Sequence, residues 1–213
     1  MKKTAAVLAA LLTLSCGSDP AGGGMEDSDY FPHGMASYWD YERNGTVGGQ
    51  FVAHGSRLTT VTGLAETGGS DLVELTTAGT DTIFTDTLQI VTPLGGVSAF
   101  RIDGYGVWSY TDTLMTDSLQ LARFPLTEGD TWAASPDVAA EVVSMEETVT
   151  VPDGTFENVL HISTTEVDTL GNQTVDDYWY APGVGLVSHG KIMQNGPLVL
   201  YELSEDLAGH LTF

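Results

Sequence analysis

Between residues 30 and 213 the chain reads as short runs of Thr, Val, Ile, Tyr and Trp, separated by residues that favour turns. Asn44-Gly45, Gly68-Gly69, Gly95-Gly96, Asp103-Gly104, Asp153-Gly154, Gly171-Asn172 and Asn195-Gly196 mark predicted hairpins, because such pairs adopt the positive φ that tight turns need. Pro152 strengthens the turn at Asp153-Gly154 by presetting φ. Within the runs, polarity alternates with period two. Val149 and Val151 alternate with Thr148 and Thr150; after the turn, Phe156, Leu160 and Ile162 take one face and Glu157, His161 and Ser163 the other. This is the pattern of an antiparallel sheet with one packed and one wet face. No segment carries the stripe of a long amphipathic helix; residues 204–210 alone read as a short terminal helix. The prediction is a mainly antiparallel β protein of about ten to thirteen strands.

The same periodicity separates neighbours. Tyr178, Trp179 and Tyr180 place the middle ring on the face opposite the other two, so both faces must be covered or one presents aromatic surface. Ser188 and His189 face opposite ways and form no direct pair. His161, opposite Leu160, is expected at the exposed face.

Two stretches repeat at an offset of 93 residues: Phe31-Pro32 precedes Trp39 as Phe124-Pro125 precedes Trp132. Proline lacks the N–H a ladder needs, so each Phe-Pro reads as the lead-in to a strand that carries the Trp. Gly129-Asp130 makes the turn in the second copy, where the first has Ala36, so the two turns are expected to differ. The offset suggests two halves, 30–122 and 123–213, of one β domain spanning 30–213. A second echo, residues 80–89 against 111–120, reads as Thr/Asp-rich strands or loops with a solvated face rather than a cation site.

Composition changes the picture at the N-terminus. Lys2 and Lys3 precede an apolar run from Ala5 to Leu14, too short to span a bilayer, and small residues follow: a secretory signal over residues 1–15. Cys16, the single cysteine, stands where cleavage is expected. The string Leu12-Thr13-Leu14-Ser15-Cys16 resembles the bacterial lipobox, with Thr13 where the family usually has Leu. The resemblance implies cleavage before Cys16, lipidation of its sulfur and attachment to a membrane of the cell envelope. Gly17, where an Asp favours inner-membrane retention, points to the outer membrane. Residues 16–29 are the lipidated Cys and a Gly-rich tether.

Loss of the signal leaves five Lys and Arg against 29 Asp and Glu. So acidic a domain is a poor partner for nucleic acid and is repelled by anionic lipid, which confines membrane contact to the anchor on Cys16. The hydrophobic content, 42%, is too high for a disordered acidic tail. There is no G-x-S-x-G, H-E-x-x-H, P-loop or C-x-x-C motif, and the five His are scattered singly, so no catalytic residue, metal ligand or cofactor is assigned.

FPLTEGDTW (124–132), ETVTVPDGTFENVLHI (147–162) and YWYAPGVGLVSHG (178–190) together resemble a family of uncharacterised bacterial lipoproteins, and through it the lipoprotein-localisation carriers of the LolA/LolB kind. The resemblance implies a strongly curved sheet or half-open barrel round an apolar cavity, and a non-catalytic domain that binds or carries a hydrophobic ligand. Trp132, Trp179 and Phe156 read as core anchors of those strings. The expected partners are a hydrophobic small molecule or an envelope protein. The aromatics at Trp39, Trp108, Trp132 and Trp179 are candidates for a ligand groove. The alternatives are a structural lipoprotein of an envelope or surface complex, or a hydrolase using two carboxylates roughly 5–10 Å apart.

Overall fold

A computed structural model describes residues 26–48, 50–84, 89–110 and 118–213. A short 3-10 helix (Asp27–Tyr30) precedes twelve strands: β1 (Tyr38–Val47), β2 (Gln50–Thr67), β3 (Ser70–Phe84), β4 (Gln89–Asp103), β5 (Gly106–Tyr110), β6 (Ser118–Arg123), β7 (Thr131–Ser135), β8 (Val138–Val151), β9 (Gly154–Val167), β10 (Gln173–Ala181), β11 (Gly185–Asn195) and β12 (Leu198–Leu211). The signal, Cys16 and the tether up to residue 25 lie outside the described residues, as do Asp86, Asp112 and Asp117 of the second echo.

All twelve strands form one antiparallel sheet in the order β6-β5-β4-β3-β2-β1-β12-β11-β10-β9-β8-β7. The sheet curls into a nearly closed barrel. Strands adjacent in sequence pair with each other except β6 and β7, which are the two edges, and the long-range joint is β1 against β12. At the seam between β6 and β7, the Trp132 indole N–H donates to the Gln120 carbonyl at 2.9 Å. The segment before β1 crosses one end of the barrel. Gly183 N–H donates to Asp29 O (2.7 Å), Leu126 N–H to Asp27 Oδ2 (2.8 Å), and Tyr30 OH to Asn158 O (3.2 Å).

Two expected turns are strand interior instead. Asn44-Gly45 lies within β1 and Gly95-Gly96 within β4. A glycine inside a strand gives up packing in exchange for space, and Gly45 is buried beside a register shift against β2. Residues 204–210 are also not helical; they belong to β12. Their helix-compatible composition is overridden by two partners, β1 along the whole stretch and β11 up to Asp206.

The 93-residue echo is structural. Phe31-Pro32 leads into β1 and Phe124-Pro125 into β7, and the two Phe rings meet at 6.3 Å between centroids. Contrary to the sequence expectation, the two turns share one hydrogen-bond pattern. Ser37 N–H donates to Gly34 O as Asp130 N–H does to Thr127 O. Ser37 and Ala36 exchange bonds with Val61, just as Asp130 and Gly129 do with Val142. Ala36 (φ 66°) therefore holds the left-handed conformation that Gly129 (φ 83°) takes without steric cost.

The packed inner face includes Val61, Val73, Val107, Leu160 and Ile162, each buried. Each such side chain stabilises the fold by about 1.5–3 kcal/mol relative to exposure. Strand alternation decides which residues join them.

Candidate functional site: a cavity with a charged belt inside the barrel

The inner face changes character along the barrel axis. Near the end crossed by residues 26–37, a cavity of about 330 Å³ is walled by Tyr30, Phe31, Val61, Val73, Phe100 and Leu121. Further along, Thr59, Thr77, Ser98 and Ser109 add hydroxyls, and Arg57, Tyr178 and His189 complete the wall. The volume is at the small end of the range for ligand pockets, and the mixture of apolar wall with few polar groups is typical of them.

Behind Arg57 and His189 lies a belt of charge built by register. Glu205 on β12 pairs with Arg43 on β1, Arg43 with Gly55 on β2, and Gly55 with Asp81 on β3. Gly55 carries no side chain, so Arg43 reaches across it: Nε donates to Asp81 Oδ1 at 3.0 Å, and Nη1 donates to Glu205. A Cβ on Gly55 would lie 2.2 Å from the Thr80 carbonyl and 2.3 Å from Asp81 Oδ1. Arg57 Nη2 meets the other Glu205 oxygen at 3.1 Å, and its guanidinium lies 4.7 Å over the Tyr41 ring. Glu205 itself is only 1% exposed.

His189 closes the belt. Its Nδ1 lies 3.0 Å from Glu205 Oε2 and its Nε2 2.9 Å from Asp176 Oδ1, and its ring stacks on Tyr178 at 4.7 Å. A carboxylate at each nitrogen requires a proton on each, which favours imidazolium. Burial pulls the His189 pKa down, but the bonds to Asp176 and Glu205 and their charges outweigh it, and the net shift is upward. Glu205 is pushed up by burial and drawn further down by His189, Arg57 and Arg43, ending below the usual carboxylate range. Asp176 is likewise raised by burial but lowered on balance by His189 and by Lys191, whose Nζ donates to it at 3.1 Å.

A second histidine cluster sits on the outer face of β9 and β10. His161 contacts Glu147 Oε1 (2.9 Å) and Asp177 Oδ1 (3.1 Å), and stacks on Trp179 at 4.5 Å. It lies on the face opposite Leu160, but it is not the exposed residue expected; its side chain is only 13% accessible. The curved hairpin β8–β9 brings Glu147 over it, and the Trp179 indole donates to Glu147 Oε2 at 2.9 Å. Both faces at Tyr178, Trp179 and Tyr180 are thus covered. Ser188 and His189 do part company, Ser188 donating to Asp206 at 2.7 Å.

The four tryptophans do not share a groove. Trp39 alone lines the cavity, its indole bonded to the Val184 carbonyl. Trp132 is buried at the seam. Trp108 lies under the Arg101 guanidinium at 4.2 Å, and Trp179 is half-buried on the outer face, stacked on His161 and packed against the core. The basic residues at the belt end of the cavity, Arg57 and His189, were missed because a lone charged residue in a strand reads as surface. The available signal was isolated Gly55 and Gly79 within strand-like runs, which mark a close approach of other groups.

No protein-family model matches the chain and no curated protein matches it. The barrel is similar to the crystal structure of a Bacteroides fragilis protein described as a candidate exported protein with a YmcC-like fold. The TM-score is 0.55 at 14% identity, over 85% of this chain and 98% of that one. A second crystal structure, of a candidate lipoprotein from Parabacteroides distasonis, matches at 13% identity with a TM-score of 0.47 and the same coverage. The Bacteroides likeness establishes a shared fold.

Proposed function

We propose that this chain is an exported lipoprotein, held at the outer membrane through Cys16, whose barrel is a non-catalytic module that binds a small hydrophobic ligand. The observation that carries this reading is the interior cavity, apolar over most of its wall and edged by Arg57 and His189. A core selected only for stability would be packed to crystal-like density, without a void of this size. The lipobox-like string supports export and anchoring, and the Bacteroides neighbour with the same fold is described as exported. Asp176 and Glu205 do not suit a hydrolase pair beside the cavity, because such a pair keeps one acid protonated and both of these are shifted the other way.

Two measurements test it. Labelled palmitate fed to the producing bacterium is expected on the wild-type chain and absent from Cys16→Ser; equal labelling removes the anchor. Organic extraction of the purified Cys16→Ser protein followed by mass spectrometry is expected to release a stoichiometric small molecule. A ligand-free protein that also takes up no apolar fluorophore overturns the binding role and leaves a structural lipoprotein.

A further inference from the structure

We propose that the cavity selects an amphiphile with a single negative charge, a carboxylate on a short apolar body, and that Arg57 is its counter-charge. This builds on the cavity being a ligand site, as argued above.

The distribution of charge leads to the anion. Outside the signal the chain has only five Lys and Arg, and three of them, Arg43, Arg57 and Lys191, occupy the inner face. The 29 acidic residues make the chain as a whole repel anions, so the barrel interior is where an anion finds compensation. Arg43 already meets two carboxylates, Asp81 and Glu205, and Lys191 is tied to Asp176. Arg57 differs from both. It lines the cavity, keeps 24% of its side chain exposed, and meets a carboxylate through Nη2 only. Its buried Nε has no partner among the described residues. A guanidinium has five donors and favours a planar two-oxygen partner, so a carboxylate arriving through the cavity can meet the terminal donors that Glu205 leaves open on the exposed part of Arg57.

The balance of the belt sets the number of charges. Arg43, Arg57, Lys191 and protonated His189 face Asp81, Asp176 and Glu205, an excess of one cation. One negative charge neutralises the group; a second would stand unpaired beside Glu205 and Asp176, which is costly at low dielectric. The apolar wall of Val61, Val73, Phe100 and Leu121 then receives the rest of the molecule, with Thr59, Thr77, Ser98 and Ser109 between tail and head.

Competition on the delipidated Cys16→Ser full chain tests this, with neutral N-phenyl-1-naphthylamine as the reporter and decanoate, decanol and decyl phosphate as competitors. Decanoate is expected to displace the reporter at about one tenth of the decanol concentration or less, with decyl phosphate weaker than decanoate. In Arg57→Gln the gap between decanoate and decanol is expected to close to about twofold. Equal competition by decanoate and decanol on the wild type overturns the charge selection and leaves the cavity a binding site. Decyl phosphate as the strongest competitor overturns the single-charge assignment. Failure of the reporter to bind the wild type removes the underlying binding reading, and the proposal with it. The wild-type comparison stands even if Arg57→Gln does not fold.

Discussion

Strand β10 does the same thing on each of its faces. Inside, Asp176 and Tyr178 hold His189; outside, Asp177 and Trp179 hold His161. Each imidazole has a second carboxylate on its other nitrogen, Glu205 or Glu147, and the two side chains expose nearly the same area, 12% and 13%. The difference lies in those carboxylates. Glu205 is 1% exposed and shared with Arg43 and Arg57, whereas the Glu147 side chain is 35% exposed. Water can replace a lost partner outside and cannot inside, so equal local geometry carries unequal energy.

Removing one charge on each side gives the largest contrast. Glu205→Gln leaves Arg57 and His189 each short of a buried partner and is expected to lower the unfolding free energy by about 3–5 kcal/mol. Glu147→Gln is expected to cost no more than about 1 kcal/mol. Urea denaturation of both variants measures this, and similar losses would show that the belt is not buried in energetic terms. Next is Gly55→Ala, whose methyl group would collide with the Thr80 carbonyl and push Asp81 from Arg43. Overpacking of this kind is expected to cost about 1–3 kcal/mol, read in the same assay. If Gly55→Ala is silent, the row from Glu205 to Asp81 does not depend on the missing side chain.

The pH dependence separates the faces more finely. Both histidines titrate above the ordinary value of 6.5, because their paired carboxylates outweigh the burial that opposes charging. Their stabilisation is therefore fully present below pH 6.5 and is lost as pH rises through the folded pKa values. Asp176, Asp177 and Glu205 are lowered, Asp177 chiefly by the His161 hydrogen bond, so their contribution is lost in acid as pH falls below the ordinary carboxylate range. Denaturation midpoints from pH 5 to 9 are expected to decline on the alkaline side, and His189→Gln to flatten that decline more than His161→Gln. A profile unchanged by His189→Gln would place its charge elsewhere. A small effect, comparable to that of Glu147→Gln, is expected from Trp179→Phe, which keeps a ring against His161 and loses the bond to Glu147, at about 0.5–1 kcal/mol. A larger loss would mean that the outer cluster is less solvated than its exposure implies.

Much of this arrangement could be read in the chain. Alternation alone separates Tyr178 from Trp179 and Ser188 from His189, and the Phe-Pro lead-ins correctly preceded the strands of Trp39 and Trp132. The readings that failed did so for non-local reasons. Residues 204–210 lack β-branched side chains, and their strand conformation comes from β1 and β11 rather than from propensity. Ala36 and Gly129 differ in side chain but are drawn into one turn by the bonds to Val61 and Val142. The tryptophans looked like a groove because large aromatics near one another in type suggest a common surface, yet the barrel distributes them over its two faces and its seam.

Alternation along the chain was enough to make it antiparallel strands and to set which side chains share a face, because a period of two is a property of the extended backbone. It did not determine which face would be enclosed. That was decided when β1 met β12 and the sheet curled, bringing Arg43 to Glu205 across 162 residues. In an open strand a lone Arg or Glu is best solvated by water; in the closed barrel the same residues have only one another and the cavity they line.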